Sequence, residues 1–562
     1  MLHVEKENLI KDFMKNLDSF SIPIYQRDYS WDTDECEELL NDIIRIGGEE
    51  SGEYFIGTIV YQKHEDDSSS ISYKCIIDGQ QRITTITLLF CCLCNLKHVN
   101  EDDKKDFYNH FLTNEIGSKR EKKLNLKSED DKTLNKIINS ISSNEEPNFS
   151  DGDSKNIVKN YNFLMEKLEK EDDYNLIKRG IYRLSFISIS LNYEDNPQQI
   201  FESLNATGKD LNNSDKVRNY ILMSSEDQDN LYKNYWKNIE NGFENKDEED
   251  FDDFIYNYLI VKKRKLIEKS NIYREFKLYK SENYKDDIES LVQDIHKYAQ
   301  YYFKIVYEEE NDKDLREAFH NLNQLSSKVT TRFLLSVYDD YEKAKDGSDL
   351  NINLNKEDFI KIIKITESYI LRRKICNILA TKNKEVFLNL KSNISEKRYL
   401  DSVISNLTKY SKTNEKRFPS DDELKKHLKK KRFDNSNKLI KYILTCIENY
   451  KSKEEIKTEK ATLEHIMPVK LTSEWKKDLG NNFENVHEIY LDTIGNLTLT
   501  FYNSEMRNKS FTKKRDMDGG FKDSKLKLNK YLSNIDEWNK EEIIKRSEIL
   551  YEEIKEIWKY PE

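Results

Sequence analysis

Two short stretches near the end of the chain hold residues suited to hydrolysing a phosphodiester. TLEHIMPVKL spans residues 462–471, and DTIGNLTLTFYNSEMRNKSFTKKR follows at 492–515. Such a reaction needs a base to activate water, a cation to neutralise the scissile phosphate and leaving oxygen, and a positive group for charge that develops in the transition state. A strand ending in Glu-His supplies a hard oxygen ligand and an imidazole base side by side, and an Asn on a later helix adds a second oxygen. In this reading His465 activates the water and Glu464 and Asn503 hold the metal. Asn496 orients His465 or braces the turn, and Lys513 or its neighbour Lys514 faces the phosphate. Oxygen donors with open water positions suit Mg²⁺, or Mn²⁺ in its place. Asn508 rivals Asn503 as the ligand. Pro468 ends the strand rigidly, and His487, with no accompanying motif, reads as surface.

A second constellation lies near the start. IPIYQRDYSW at 22–31 and IIDGQQRITTI at 76–86 each set an Arg close to a Gln. The second reads as strand, glycine turn and helix, with Asp78 to Arg82 at the helix N-terminus. Free backbone N–H groups there, together with a bidentate Arg, suit a phosphate. It is not a P-loop: Gly208-Lys209 is followed by Asp210, and position 203 is Ser. Cys91 and Cys94 are spaced CxxC on the apolar helix after DGQQR, but without a second pair they read as packing rather than zinc ligands.

The elements that must position these residues differ along the chain. The first part mixes β-like runs (SIPIYQRDYSW, YFIGTIVYQ, YKCIID and LSFISISL at 184–191) with helices. A helical insertion is expected at about 100–170, with a loose loop at 142–154. Residues 225–405 have apolar positions at helical spacing and no glycine-rich loops, which predicts a helical connecting region. The expected domains are 1–224, 225–405 and 406–562.

At 562 residues, several domains and a sizeable core are expected. Charged residues reach 35% while Gly and Pro number 15 and 6, a profile of a helix-rich chain rather than a sandwich. The net charge of −12 argues against an evenly spread nucleic-acid surface. LKKHLKKKRF at 424–433 is a local exception, and its place upstream of the Glu-His segment points to DNA backbone contact. The 7 cysteines form an odd, clustered set, which fits a reducing compartment. With no apolar run long enough for a membrane span and no signal core at the start, a cytoplasmic protein is expected.

Two family resemblances attach to these residues. EHIMP, IGNLTLT, YNSEMRN and FTKK, in that order, resemble the HNH, or ββα-metal, nucleases, with Glu464 where Asp is common at the first ligand position. IPIYQRDYSW, the Phe-Ile-Gly strand at 55–57, DGQQR and the FxxLNxxGxxL box at 201–211 resemble the N-terminal domain of GmrSD-type restriction proteins, whose fold is like ParB and sulfiredoxin. The combination is similar to fused GmrSD-type type IV restriction enzymes and the related SspE and BrxU defence proteins.

The resemblance implies an α+β, predominantly helical protein and an antiphage DNA endonuclease that responds to the modification state of double-stranded phage DNA. It also implies NTP binding and hydrolysis, with GTP favoured. Asp78, Gln81 and Arg82 would then be the catalytic or phosphate residues, and Gln26, Arg27, Gly79, Gln80, Asn205 and Lys209 would complete the nucleotide pocket. A homo-oligomer or partner defence proteins are further expectations. Three alternatives stand beside this reading: an N-terminal domain that reads DNA without hydrolysing NTP, a non-catalytic regulator, and a scaffold for other defence subunits.

Overall fold

LSFISISL is apolar and β-branched along nearly its whole length, which suits a strand covered on both faces. In the structure, a computed structural model, it is the strand Leu184–Leu191, next to the edge of a six-stranded mixed sheet. The structure describes all residues except 1–2, 66–71, 117–118, 172, 193–194, 196, 205–210, 226, 412, 434–437, 453, 455 and 562. The chain forms two compact units: Met1–Glu244 with Lys280–Gln293, and Asn245–Tyr279 with Asp294–Glu562.

Ten strands occur among the described residues. They are β1 (His3–Asn8), β2 (Ser19–Ser21), β3 (Tyr54–Glu65), β4 (Ser72–Asp78), β5 (Thr113–Ile116), β6 (Lys119–Lys122), β7 (Leu124–Asn125), β8 (Leu184–Leu191), β9 (Thr462–His465) and β10 (Leu497–Thr500). The first unit's sheet has the order β1-β8-β3-β4-β2-β7. β3 runs parallel to β8, with Val60 opposite Ile189, and antiparallel to β4. β4 ends at Asp78 and turns through Gly79 into the helix α2 (Gln80–Asn95). Gly79 has φ +96°, a region that side chains rarely adopt, and an added Cβ would lie 3.0 Å from the Ile59 side chain. From Gln80 to Cys94 every residue of α2 is buried except Arg82. Cys91, Cys92 and Cys94 belong to this apolar core, as the packing reading of the CxxC requires.

The insertion at 100–170 is helical over Glu101–Phe107, Ser128–Ser143 and Lys155–Glu169. It also contributes the β5–β6 hairpin and the edge strand β7, which pairs parallel to β2 with Phe20 opposite Leu124. The buried Lys123 holds that edge by donating to the carbonyls of Asn16 and, at 2.9 Å, His110.

The second unit is helical apart from β9 and β10. Its helices include Glu248–Lys263, Lys328–Asp346 and Lys356–Ile375. Two fully buried arginines tie the last of these to later chain: Arg372 donates to Trp558 O at 2.8 Å and Pro419 O at 3.1 Å, and Arg373 to Glu415 O at 2.7 Å. A smaller core of Ile466, Met467, Trp475, Phe511, Trp538 and Ile543 surrounds the β9–β10 pair. The α+β, predominantly helical expectation holds. Among the described residues no helix is long and apolar enough to cross a membrane.

Candidate active site

β9 and β10 pair antiparallel, with His465 opposite Leu497 and Glu464 opposite Thr498. Glu464 and His465, at the end of β9, meet different partners.

His465 is 8% exposed. Its Nε2 lies 3.1 Å from Oδ1 of Asp492, whose Oδ2 takes a 2.8 Å bond from Arg432. Arg432 is itself stitched to this segment: it bridges to Thr493, and Phe433 N donates to Asp492 O at 2.8 Å. Burial lowers the His465 pKa, and Asp492 opposes that shift without reversing it. The imidazole is therefore biased to the neutral form that can accept a proton. Burial pushes the Asp492 carboxyl up, but bonds from Arg432 and His465 outweigh it, and the net direction is down.

Glu464 is 2.5 Å from Lys514 Nζ through Oε1. Lys514 is fully buried and also donates to the carbonyls of His465 at 2.7 Å and Ile466 at 3.1 Å. Burial pushes Glu464 up and Lys514 down, and each opposes the other's shift. Lys514 is thus a tether beneath β9, not a group facing a phosphate. Lys513, one position earlier on the short helix Phe511–Asp516, points outward and pairs with Glu474 at 3.0 Å on the surface. Successive helical residues are rotated by about 100°, so only one of the two can face the core.

Asn496 braces the turn and does not contact His465. Its Oδ1 accepts from Met467 N at 2.7 Å and Trp538 Nε1 at 3.0 Å, and its Nδ2 donates to Met467 O at 3.0 Å and Leu491 O at 2.8 Å. The residues just after His465 are thereby fixed. His487 adds a 3.0 Å contact from Nε2 to Pro468 O, so it props the same loop. The turn holding Asn496 is clamped from behind by Arg546, which donates to Ile494 O, Gly495 O and Leu497 O at 3.2, 2.9 and 2.8 Å. Gly495 permits this approach: a Cβ there would sit 2.3 Å from Ile543 O.

A cleft of about 590 Å³ opens over β9, and Glu464, His465, Asn503 and Asn508 all line it. Asn503 donates its Nδ2 to Leu463 O at 2.6 Å, which leaves its Oδ1 as an acceptor. Asn508 is exposed and follows Arg507, a non-glycine residue at φ +41°. The cleft's other polar walls are Lys438, Lys441 and Arg507. These three cations and Asp492 are functional candidates beyond those of the sequence analysis, and Arg432, from the basic run expected on the DNA backbone, instead meets Asp492. Lys438 and Lys441 are one helical turn apart on Lys438–Asn449, a spacing that puts both on one face. Three cations of the basic run at 424–433 are engaged within the protein: Lys429 pairs with Glu548 at 2.7 Å, Lys431 with Asn377, and Arg432 with Asp492.

The oxygen donors fit a hard divalent cation in kind. Glu464 offers a carboxylate of which Lys514 engages Oε1 alone, and Asn503 an amide oxygen, on one cleft. Among the described residues no group of three or more His, Cys, Asp or Glu could hold a metal, so any such ion would rest on few protein ligands.

In the first unit, the residues around Asp78 are brought together, though several are engaged with backbone. Gln26 Nε2 donates to Ile77 O at 2.6 Å, Gln80 Nε2 to Arg27 O at 3.0 Å, and Gln81 Oε1 accepts from Ser30 N at 2.9 Å. These amides shape the loop at 26–31. Arg82 donates to Thr58 O at 2.6 Å. Burial raises the Asp78 pKa, opposed by Arg82, the Gly79 N–H and Arg27. Burial also lowers the Arg27 pKa. Gly79 gives α2 no side-chain cap. Asn205 and Lys209 lie outside the described residues.

Residues 10–222 match the model of the GmrSD restriction endonuclease N-terminal domain, and residues 418–553 match that of the C-terminal domain of GmrSD restriction endonucleases. Comparison with curated proteins gave no match. The second match spans the β9–β10 cleft and Arg546, and the first spans Asp78 and its surroundings. With both domains present in order on one polypeptide, the chain belongs to the GmrSD restriction endonucleases.

Proposed function

We propose that this restriction endonuclease cuts modified phage DNA at the β9–β10 cleft by HNH-type, metal-dependent hydrolysis, under the control of an NTP bound in the N-terminal unit. The observation that carries the reading is the convergence of Glu464, His465 and Asn503 on one cleft walled by Lys438, Lys441 and Arg507. Cation and base are needed together in phosphodiester hydrolysis, and the cationic walls suit a polyanion.

Neutral His465 takes a proton from a water as its oxygen bonds to phosphorus and the P–O bond to the leaving sugar oxygen breaks. The leaving oxygen gains a proton from solvent, and the imidazolium returns its own. A Mg²⁺ or Mn²⁺ held by Glu464 with Asn503 or Asn508 would neutralise charge on the phosphate and leaving oxygen. Arg507 and the two lysines position the backbone. His465→Ala should abolish Mg²⁺-dependent nicking of susceptible DNA by the full chain; retention of wild-type nicking would remove His465 as the base.

In the N-terminal unit, the uncapped start of α2 with Arg82 and Arg27 supports a phosphate site, with GTP the favoured nucleotide. Because Gln80 and Gln81 are engaged with the loop at 26–31, recognition falls to backbone N–H groups and the arginines, and the reacting end to Asp78. Phosphate release with each NTP, with and without modified DNA, tests it. No release under any DNA condition would favour a unit that reads DNA without hydrolysing NTP.

A further inference from the structure

We infer that Asp492, backed by Arg432, is the positioning residue that fixes the His465 ring and its tautomer, so that Nδ1 is the atom that accepts the proton from water. The inference rests on the proposed role of His465 as base. It goes beyond that role by naming the reacting nitrogen and the two residues that select it.

The geometry leaves Asp492 little else to do. One carboxylate oxygen is 3.1 Å from His465 Nε2 and the other is 2.8 Å from Arg432 NH2. With both oxygens engaged, and with no place in the cleft lining, Asp492 is not a metal-ligand candidate. A carboxylate accepts, so Nε2 must carry the hydrogen, and the lone pair of a neutral ring then sits on Nδ1. No protein group among the described residues bonds to Nδ1, and the ring lines the cleft. When Nδ1 takes the proton, the positive ring faces a carboxylate already in place, so no group has to move to meet the new charge.

Arg432 holds Asp492 from outside the cleft. Its backbone bridge to Thr493 and the Phe433 N–H on Asp492 O fix the main chain, while its guanidinium fixes the carboxylate. The end of the basic run thus reaches the reaction through Asp492 and His465 rather than through DNA. The pairing joins residues 27 positions apart, across a segment whose two short helices carry Trp475 and His487.

The test uses the full-length protein with Mg²⁺ and susceptible plasmid DNA. Asp492→Asn keeps the shape but offers Nε2 an amide that can favour the wrong tautomer. It should lower kcat on the order of 10²-fold or more while KM stays within about twofold. Arg432→Ala should cost about tenfold in kcat, and Arg432→Lys should recover most of it. If His465→Ala is inactive while Asp492→Asn keeps kcat within about threefold, the positioning role is wrong and the base assignment survives. If His465→Ala cleaves normally, the underlying reading fails instead. Loss through KM alone, or through unfolding of Asp492→Asn, would make Asp492 a structural residue and overturn the inference. A second readout needs no active-site variant to stay folded. In histidine-¹⁵N-labelled wild-type protein, the His465 resonances should report a protonated Nε2 and a bare Nδ1, and the opposite tautomer overturns the inference.

Discussion

Lys514, fully buried, places its ammonium 2.5 Å from one oxygen of the Glu464 carboxylate, which is 3% exposed at the cleft. A buried pair of this kind is costly to break from one side, because the remaining charge has no partner. Lys514→Met should therefore destabilise the second unit by about 3–5 kcal/mol, and the double variant Glu464→Gln/Lys514→Met should recover much of that loss. Urea denaturation of the four species of this cycle measures the coupling. Glu464→Asp tests the same contact more gently. Its arm is shorter by about one C–C bond, ~1.5 Å, so Lys514 loses its partner although the charge type is kept.

Asn496 is fully buried and uses both ends of its amide on four partners. Asn496→Ala leaves Met467 N–H and O, Leu491 O and the Trp538 indole N–H unpaired, which should cost about 3 kcal/mol or more. Asn496→Asp keeps the acceptor and loses the donor, so two carbonyls then face a carboxylate. Both variants should lose thermal stability and nicking together; full stability in either would contradict the bracing role.

Lys438 and Lys441 face the cleft without belonging to the reacting cluster. Lys438→Gln/Lys441→Gln should weaken DNA binding while leaving the melting temperature within about 2 °C. If both lysines meet phosphates, the slope of log K against log salt should fall by about 1.8, or 0.9 per contact. An unchanged slope would place the DNA path elsewhere.

Asp130 gives a pH dependence in the first unit. It is 5% exposed and accepts from Tyr29 N at 2.7 Å. Burial, with Asp28 nearby, pushes its carboxyl up to about 6. A raised carboxylate pKa means the fold favours the neutral form. This contribution is complete below the ordinary value of about 3.9 and is lost as pH rises through about 6, with a size of about 3 kcal/mol. Asp130→Asn, which stays neutral, should therefore gain stability relative to wild type between pH 4 and 7. Denaturant titrations of both proteins across that range give the sign directly.

Glu464, His465, Asn503 and the turn at Asp78–Gly79 were legible because each lies within a short stretch whose residue types and order carry the chemistry. Asp492 lies in the second of these stretches, but its meaning depends on a contact with His465 across the intervening segment, which the sequence does not display. Which of Lys513 and Lys514 faces outward stays open in the sequence for a related reason. On a six-residue helix the sequence does not reveal which neighbour faces the core. Gln80 and Gln81 are equally able to face a ligand or a loop, and the loop that captures them comes from residues 27–31. β7 escaped because a two-residue strand has no periodicity to detect.

Arg546 sits on the helix Lys540–Ile557, yet it holds the carbonyls at 494, 495 and 497 from which β10 begins. The geometry of the cleft is therefore a property of that distant helix as much as of the strands bearing Glu464 and His465. Opening of the helix should therefore accompany loss of the strand pair, as one cooperative unit. Hydrogen exchange should show it as matching protection along residues 543–550 and 497–499. The enzyme's cutting competence would then have the lifetime of a helix none of whose residues lines the cleft.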